Sequence, residues 1–317
     1  MMSYRPHNSP LAENVAPVLE RGAFTAAKRT LYVVATPLGN LRDLTLRALD
    51  VLRSADLILA EDTRVTAKLL SAYGISAPMR ALHQHNEKSA VLFVIAALNE
   101  GKSLALVTDA GTPGISDPGA KLVNEVKNAG FLVAPIPGAC AIAAAISGAG
   151  LLAEQFYFVG FLPSQKKARN EILMRLRGLE CALVFYEAPH RVKETLAEFA
   201  RVFEGDRDLI VARELTKTFE TITRVPSAHI SDFVDTHPET EKGEIVLILD
   251  APFCDQHEST TPVLDDAVLR WLQALLEELP PARAAKVVAA ATGIPRETIY
   301  QEAMRVQEIR GSGFGKK

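Results

Sequence analysis

Long apolar runs, paired cysteines and an excess of one charge are all missing from this sequence. No stretch of about 18 consecutive apolar residues occurs, so no transmembrane helix is expected. Residues 1–29 carry Pro6, His7, Asn8, Pro10, Glu13 and Glu20 where a secretory signal needs an apolar centre, so they are read as a flexible leader. Cysteine is limited to Cys140, Cys181 and Cys254, with no C-x-x-C and no zinc-site spacing. That scarcity excludes a disulfide framework and points to a reducing, cytoplasmic compartment. The 35 Lys+Arg nearly balance the 38 Asp+Glu, for a net charge of −3. The balance excludes a histone-like basic coat but not RNA binding, because it only confines a phosphate-binding surface to a local patch. G-x-G-x-x-G, G-x-x-x-x-G-K-[ST] and G-x-S-x-G are absent as well, which argues against dinucleotides, triphosphates and a serine hydrolase. The pair His83 and His85 lacks a third ligand, so no metal site is expected.

What is present suits a globular chain of about two domains, since 48% of its 317 residues are apolar. Eight short apolar runs read as strands: 31–36, 56–60, 103–108, 131–136, 156–161, 181–187, 208–214 and 244–250. Helical periodicity follows several of them, at 43–52, 63–73, 117–129 and 189–203. The alternation predicts an α/β fold with largely parallel sheets covered on both faces. Gly148 and Gly150 suggest a hinge, giving an N-terminal αβ domain over 30–150 and a C-terminal one over 151–252. Polar residues 253–263 read as a linker, and 264–317 as a helical appendage with helix-turn-helix spacing around Gly293, packed by Trp271.

Three turns rich in glycine and proline follow strand ends, where α/β sheets place ligands. They are Ala35 to Asn40, Thr108 to Gly119 and Pro135 to Ala141. The second packs three glycines, two prolines and two aspartates into twelve residues. The third opens a helix made almost wholly of Ala, Ile and Gly, small enough for something to pack closely. Any one turn alone is satisfied by loop geometry. Together they point to a shared pocket for an uncharged or zwitterionic ligand.

Five ordered blocks carry a family resemblance: Thr36-Pro37-Leu38-Gly39-Asn40-Leu41 with Asp43-Leu44-Thr45, Ala60-Glu61-Asp62-Thr63-Arg64, the Thr108 to Gly119 turn, Pro137-Gly138-Ala139, and Phe185-Tyr186-Glu187-Ala188-Pro189-His190-Arg191. They resemble the tetrapyrrole methylase superfamily of S-adenosylmethionine-dependent enzymes. Within it they are similar to the bacterial branch that methylates a cytidine 2′-hydroxyl in 16S rRNA. The resemblance implies a cleft between the two αβ domains and S-adenosyl-L-methionine as cofactor. It implies donor contacts at Pro37, Leu38, Gly39, Thr112, Pro113, Gly114, Ile115, Cys140, Ala141, Tyr186, Ala212, Gly243 and Ile245. It also implies 16S rRNA in the small ribosomal subunit as partner, and a homodimer.

A ribose hydroxyl is a poor nucleophile, so a carboxylate near it would help. Asp62 and then Glu187 rank first among the strand-end acids, because Arg64 and Arg191 lie close enough in sequence to hold a neighbouring phosphate. A basic segment led by Lys166, Lys167 and Arg169, with Ser164 as its helix cap, is the expected rRNA surface, together with Arg64 and Arg191. Two other functions stay open: methylation of a tetrapyrrole intermediate, and a non-catalytic RNA-binding assembly factor.

Overall fold

The computed structural model describes residues 24–82, 87–151, 153–203, 205–252 and 264–312. The leader up to residue 23, the His83/His85 pair and the linker 253–263 lie outside the described residues. The described residues up to 252 belong to one compact unit and those from 264 to a second.

The first unit holds two five-stranded sheets. In the first, β1 (Thr30–Val34), β2 (Leu57–Ala60), β3 (Met79–Ala81), β4 (Leu104–Val107) and β5 (Leu132–Ile136) lie in the order β3-β2-β4-β1-β5, all parallel. Central β4 is buried at every position, as a strand covered on both faces must be. Helix α1 (Leu46–Ser54) puts Ala48, Val51 and Leu52 into a core with Tyr32, Val34 and Ile58. After α2 (Thr63–Ala72), helices α3 (Glu87–Asn99) and α4 (Ala120–Asn128) cover the opposite face with Val94, Leu98, Leu122 and Val126 against Leu31, Leu59 and Leu106. Alternation within β1, Leu31 to one face and Tyr32 to the other, follows from the two-residue strand period.

Helix α5 (Ala141–Ala149) follows β5. The second sheet then comprises β6 (Phe156–Phe161), β7 (Ala182–Glu187), β8 (Leu209–Arg213), β9 (Thr221–Val225) and β10 (Ile245–Leu249), in the order β6-β7-β10-β8-β9. Only β6 and β7 pair in parallel; β10 is antiparallel to both its neighbours, and β8 to β9. The expectation of largely parallel sheets therefore holds for the first sheet and is corrected for the second. A central strand such as β10, buried at all five positions, carries the same continuous apolar run whichever way it points. The sequence reading also passed over β3, which is three residues long, and β9, an edge strand with three of its five residues polar.

One face of the second sheet packs on α6 (Lys166–Leu176) and α7 (Val192–Phe203). Phe185 and Phe199 meet there with centroids 4.9 Å apart, each fully buried and contributing roughly 1.5–3 kcal/mol. The other face receives α5, whose Ile142 and Ala145 join Val184, Ile210, Ala212 and Val246. A side chain at Gly148 would collide with Ile222 of β9, so the small residues of α5 do serve close packing. A one-turn helix, α8 (Phe233–Thr236), precedes β10.

The second unit comprises α9 (Asp266–Glu278), α10 (Pro281–Thr292) and α11 (Arg296–Ser312) around Leu272, Ala284, Ala285, Val288, Ile299 and Ala303. Gly293 caps α10 in the left-handed conformation that such a stop uses. Trp271 is 54% exposed, so the expectation that it packs this bundle is corrected: the i, i+4 stripe Val268, Leu272 and Leu276 fills the core, and Trp271 stands beside it. No described helix is long and apolar enough to cross a membrane.

Candidate functional site

The order β4-β1-β5 puts all three glycine-rich turns side by side at one edge of the first sheet. They interlock through the backbone. The Thr36 N–H donates to Gly111 O (2.9 Å) and the Gly111 N–H to Thr36 O (3.0 Å). The Thr36 hydroxyl donates to Thr108 O (3.0 Å), and the Thr112 hydroxyl reaches Ala139 O (2.9 Å) in the third turn. Gly111 has φ +85°, a conformation glycine adopts without strain.

Antiparallel β10 brings its first residues to the same edge as the ends of β7 and β8, with Ile245 opposite both Glu187 and Arg213. Residues of both sheets thereby enclose a cavity of about 340 Å³, within the range of small-molecule sites. From the first half it is lined by Leu38, Ala110, Gly111, Thr112, Ile115, Ser116, Asp117, Cys140 and Ala141. Phe161, Tyr186, Glu187, Ala188, Pro189, Leu215, Glu244, Ile245 and Val246 complete it.

Seven of the expected donor contacts, Leu38, Thr112, Ile115, Cys140, Ala141, Tyr186 and Ile245, are thus brought together on one wall. Pro37, Gly39, Pro113, Gly114, Ala212 and Gly243 are not on it. Ala212 sits in the core beneath α5. Gly39 and Gly243 are pressed against Lys217 and Glu214, and Pro37 and Gly39 line a smaller neighbouring cavity of about 260 Å³ with Asp109. The sequence reading missed Ser116, Asp117, Phe161, Leu215 and Glu244. Asp117 stands in a turn it had singled out and Leu215 follows the end of β8, whereas Glu244 comes to the cavity only through the antiparallel pairing of β10.

The wall is largely apolar, its polar side chains being three carboxylates and the hydroxyls of Thr112, Ser116 and Tyr186, and no lysine or arginine lines it among the described residues. A phosphate would meet nothing to neutralise it there. A cationic nucleoside with apolar and amide-like surfaces meets glycine-turn backbone, aliphatic side chains and negative charge. Burial, with Glu61 and Asp109 nearby, pushes the Asp117 carboxyl up to about 6. Burial likewise raises Glu61, Asp109 and the Tyr186 phenol.

Neither carboxylate ranked first from the sequence is free. Asp62 caps α2 by accepting the Arg64 N–H (2.8 Å), and forms a fork with the Arg64 guanidinium. The Arg64 hydrogen bonds hold it down to about 2, and it does not line the cavity. Glu187 does line the cavity, but it accepts from the Thr195 hydroxyl (2.6 Å) and the Ala188 N–H (2.8 Å), with Arg191 Nε 3.3 Å away. Two of the expected phosphate-binding arginines are corrected on the same grounds. Arg169, 1% exposed, is held by Glu198 (2.7 and 2.9 Å) and Glu194 (2.6 Å). Arg191 donates to Leu162 O (2.8 Å) and Pro163 O (3.2 Å), securing the end of β6. A basic segment read as one surface is split by the helix period: Lys166 and Lys167 are exposed, while Arg169 turns inward. The cap of α6 is Gln165 rather than Ser164 and makes no side-chain bond. Arg64 is exposed. The described residues contain no cluster suited to a metal ion.

The family model described as Tetrapyrrole (Corrin/Porphyrin) Methylases matches residues 30–231, and that described as RsmI C-terminal HTH domain matches 262–307. A curated relative from Pseudomonas aeruginosa named "Ribosomal RNA small subunit methyltransferase I" is 43% identical over 278 residues, covering 88% of this chain and 98% of its own. Relatives of the same name from Vibrio cholerae and Escherichia coli O157:H7 are 44% and 42% identical, covering 86% and 87% of this chain and 93% and 95% of theirs. Among solved structures, a cobalt precorrin-4 methyltransferase superposes with TM-score 0.53 at 20% identity, covering 69% of this chain and 94% of its own. A uroporphyrin-III C-methyl transferase from Thermus thermophilus, complexed with S-adenosyl homocysteine, does so with TM-score 0.50 at 17% identity, covering 70% and 97%. These two likenesses concern the fold.

Proposed function

The chain belongs to the tetrapyrrole (corrin/porphyrin) methylases, and from that premise we propose that it is an S-adenosylmethionine-dependent methyltransferase acting on the 2′-hydroxyl of a cytidine in the 16S rRNA of the small ribosomal subunit. The observation that carries the reading is the cavity at the joined turns, largely apolar and acidic with no basic side chain on its wall among the described residues, which suits a sulfonium donor. Relatives above 40% identity over nearly their whole length carry the rRNA activity in their names.

When bound, the donor supplies an electrophilic methyl group. Leu38, Ile115, Ala141, Ile245 and Val246 would exclude water around it, and the backbones of the Thr36 to Gly39 and Gly111 to Ile115 turns would meet its polar ends. Gly114, Pro37, Pro113, Ala212 and Gly243 would act by shaping those turns and strands. Rigid turns tied to one another hold the site in place, and positioning supplies much of the acceleration in a direct transfer. Of the expected rRNA contacts, Lys166, Lys167 and Arg64 stand exposed, Arg64 while paired with Asp62, and would meet rRNA phosphates. The working protein would be a cytoplasmic homodimer, a second copy covering exposed Phe156 and Tyr157 of edge strand β6.

The test supplies radiolabelled S-adenosylmethionine with small ribosomal subunits, free rRNA or a precorrin-type macrocycle. Label at a cytidine 2′-oxygen of 16S rRNA is the expected result. Label in the macrocycle overturns the acceptor, and rRNA binding without label overturns the enzyme.

A further inference from the structure

Three carboxylates face the cavity, and their surroundings differ. Glu187 is spent on Thr195, Ala188 and Arg191. Glu244 lies 3.2 Å from the Lys217 ammonium. Asp117 has no hydrogen-bond or ion-pair partner among the described residues, although it is half-buried at the wall. An unpartnered carboxylate in that position costs folding free energy and needs another reason to be there.

Its place in the fold is pinned from both sides. Ser116 holds φ +64°, with its hydroxyl packed under Gly160 of β6, where an added Cβ would come within 3.3 Å of it. Pro118 follows and is buried, and Gly119 opens α4 against Leu106. The groups acting on Asp117 are Glu61 after β2, Asp109 after β4 and Tyr186 of β7; the Asp62–Arg64 pair lies beyond Asp109. Arg64 is taken up by Asp62, and no cation is among the groups acting on the Asp117 carboxyl.

We propose that Asp117 is the catalytic base that takes the proton of the acceptor ribose hydroxyl, a role that rests on the methyl-transfer reading above. As the 2′-oxygen bonds to the methyl carbon, the carbon–sulfur bond breaks with its electron pair remaining on sulfur. The hydroxyl proton passes to the Asp117 carboxylate and then to solvent. A base titrating a little below neutrality combines availability with proton affinity.

The test uses the full chain. In protein carrying carbon-13 at its aspartate carboxyls, with neither donor nor RNA, the resonance lost in Asp117→Asn should titrate near pH 6. Titration of that resonance below about pH 5 overturns the proposal. In single-turnover transfer to small subunits, Asp117→Asn should slow the reaction at least ~10²-fold and lose the acid limb of the pH profile. Its calorimetric affinity for S-adenosylhomocysteine should stay within about threefold of wild type, and Asp117→Glu should keep the acid limb at a reduced rate. Transfer by Asp117→Asn within about threefold, acid limb intact, overturns the assignment, as does loss of S-adenosylhomocysteine binding by both variants. A wild-type protein that binds S-adenosylhomocysteine but labels no rRNA overturns the methyl-transfer reading itself, a result distinct from either.

Discussion

The aliphatic stem of Lys217 lies directly over Gly39, so that the turn after β1 and the loop after β8 touch across the two sheets. The ammonium at the end of that stem bridges Glu214 (2.9 Å) and Glu244 (3.2 Å), and the Asn40 N–H donates to the Thr216 hydroxyl (3.2 Å). Glu214 and Thr216 hold φ of +52° and +67° to make the contact, a conformation L residues rarely adopt.

Gly39→Ala should therefore be costly although it adds a single methyl. That methyl collides with the Lys217 stem, whose ammonium is anchored by two carboxylates and yields poorly. The expected loss is about 1–3 kcal/mol, seen as a lower urea midpoint at unchanged slope. Stability equal to wild type would mean the contact is loose.

The cations of α6 should separate into two kinds. Arg169→Ala leaves Glu198, a buried partner, without its guanidinium, and should cost about 3–5 kcal/mol in chemical denaturation. Lys166→Glu with Lys167→Glu should leave the unfolding midpoint nearly unchanged. That double variant should weaken rRNA binding and lower the slope of log affinity against log salt by roughly 1.5–2. An unaltered slope removes these lysines from the RNA surface.

Stability against pH should carry the mark of Asp117. Its native value of about 6 exceeds the ordinary 3.8, so the folded state binds the proton more tightly. The stability this confers is fully present below about pH 4 and is lost as pH rises through 6. For a half-exposed group the loss is on the order of 1 kcal/mol after allowing for solvent screening. Asp117→Asn lacks it, so relative to wild type the variant should gain stability between pH 4 and pH 8 in urea titrations. Parallel stability curves would show that Asp117 titrates in the native state as it does in the unfolded chain.

Filling the cavity should separate binding from folding. Ala141 opens α5 and lines the wall at intermediate exposure, so Ala141→Phe projects a ring into about 340 Å³ of space. S-adenosylhomocysteine affinity should fall at least ~100-fold, a loss of about 2.7 kcal/mol, with the far-ultraviolet circular dichroism unchanged. Retained affinity would place the donor elsewhere.

Strands β1, β2, β4, β5, β6, β7, β8 and β10, the three turns and the tail helices were legible in the sequence because each rests on a local pattern: β-branched runs, glycine and proline spacing, apolar periodicity. Strand direction in the second sheet was not, since a buried strand hides its orientation. The pairing of Arg169 with Glu198 was also hidden, because a charge run records composition and not the face each charge takes. Asp62 and Glu187 stood out through neighbouring arginines, and those arginines turned out to occupy them. Asp117 shows the opposite case, for its distinction lies in what it lacks.

The last strand of the second sheet, β10, occupies its middle. During synthesis β1 to β5 are complete once residue 136 has emerged, and β5, the strand that completes the first sheet, adds at its edge beside β1. The second sheet is instead closed from within. Until residues 245–249 leave the ribosome, β7 and β8 each present an unpaired edge around a fully apolar gap. The two halves of the catalytic unit are thus built on different clocks, and the late half is the one exposed to misassembly.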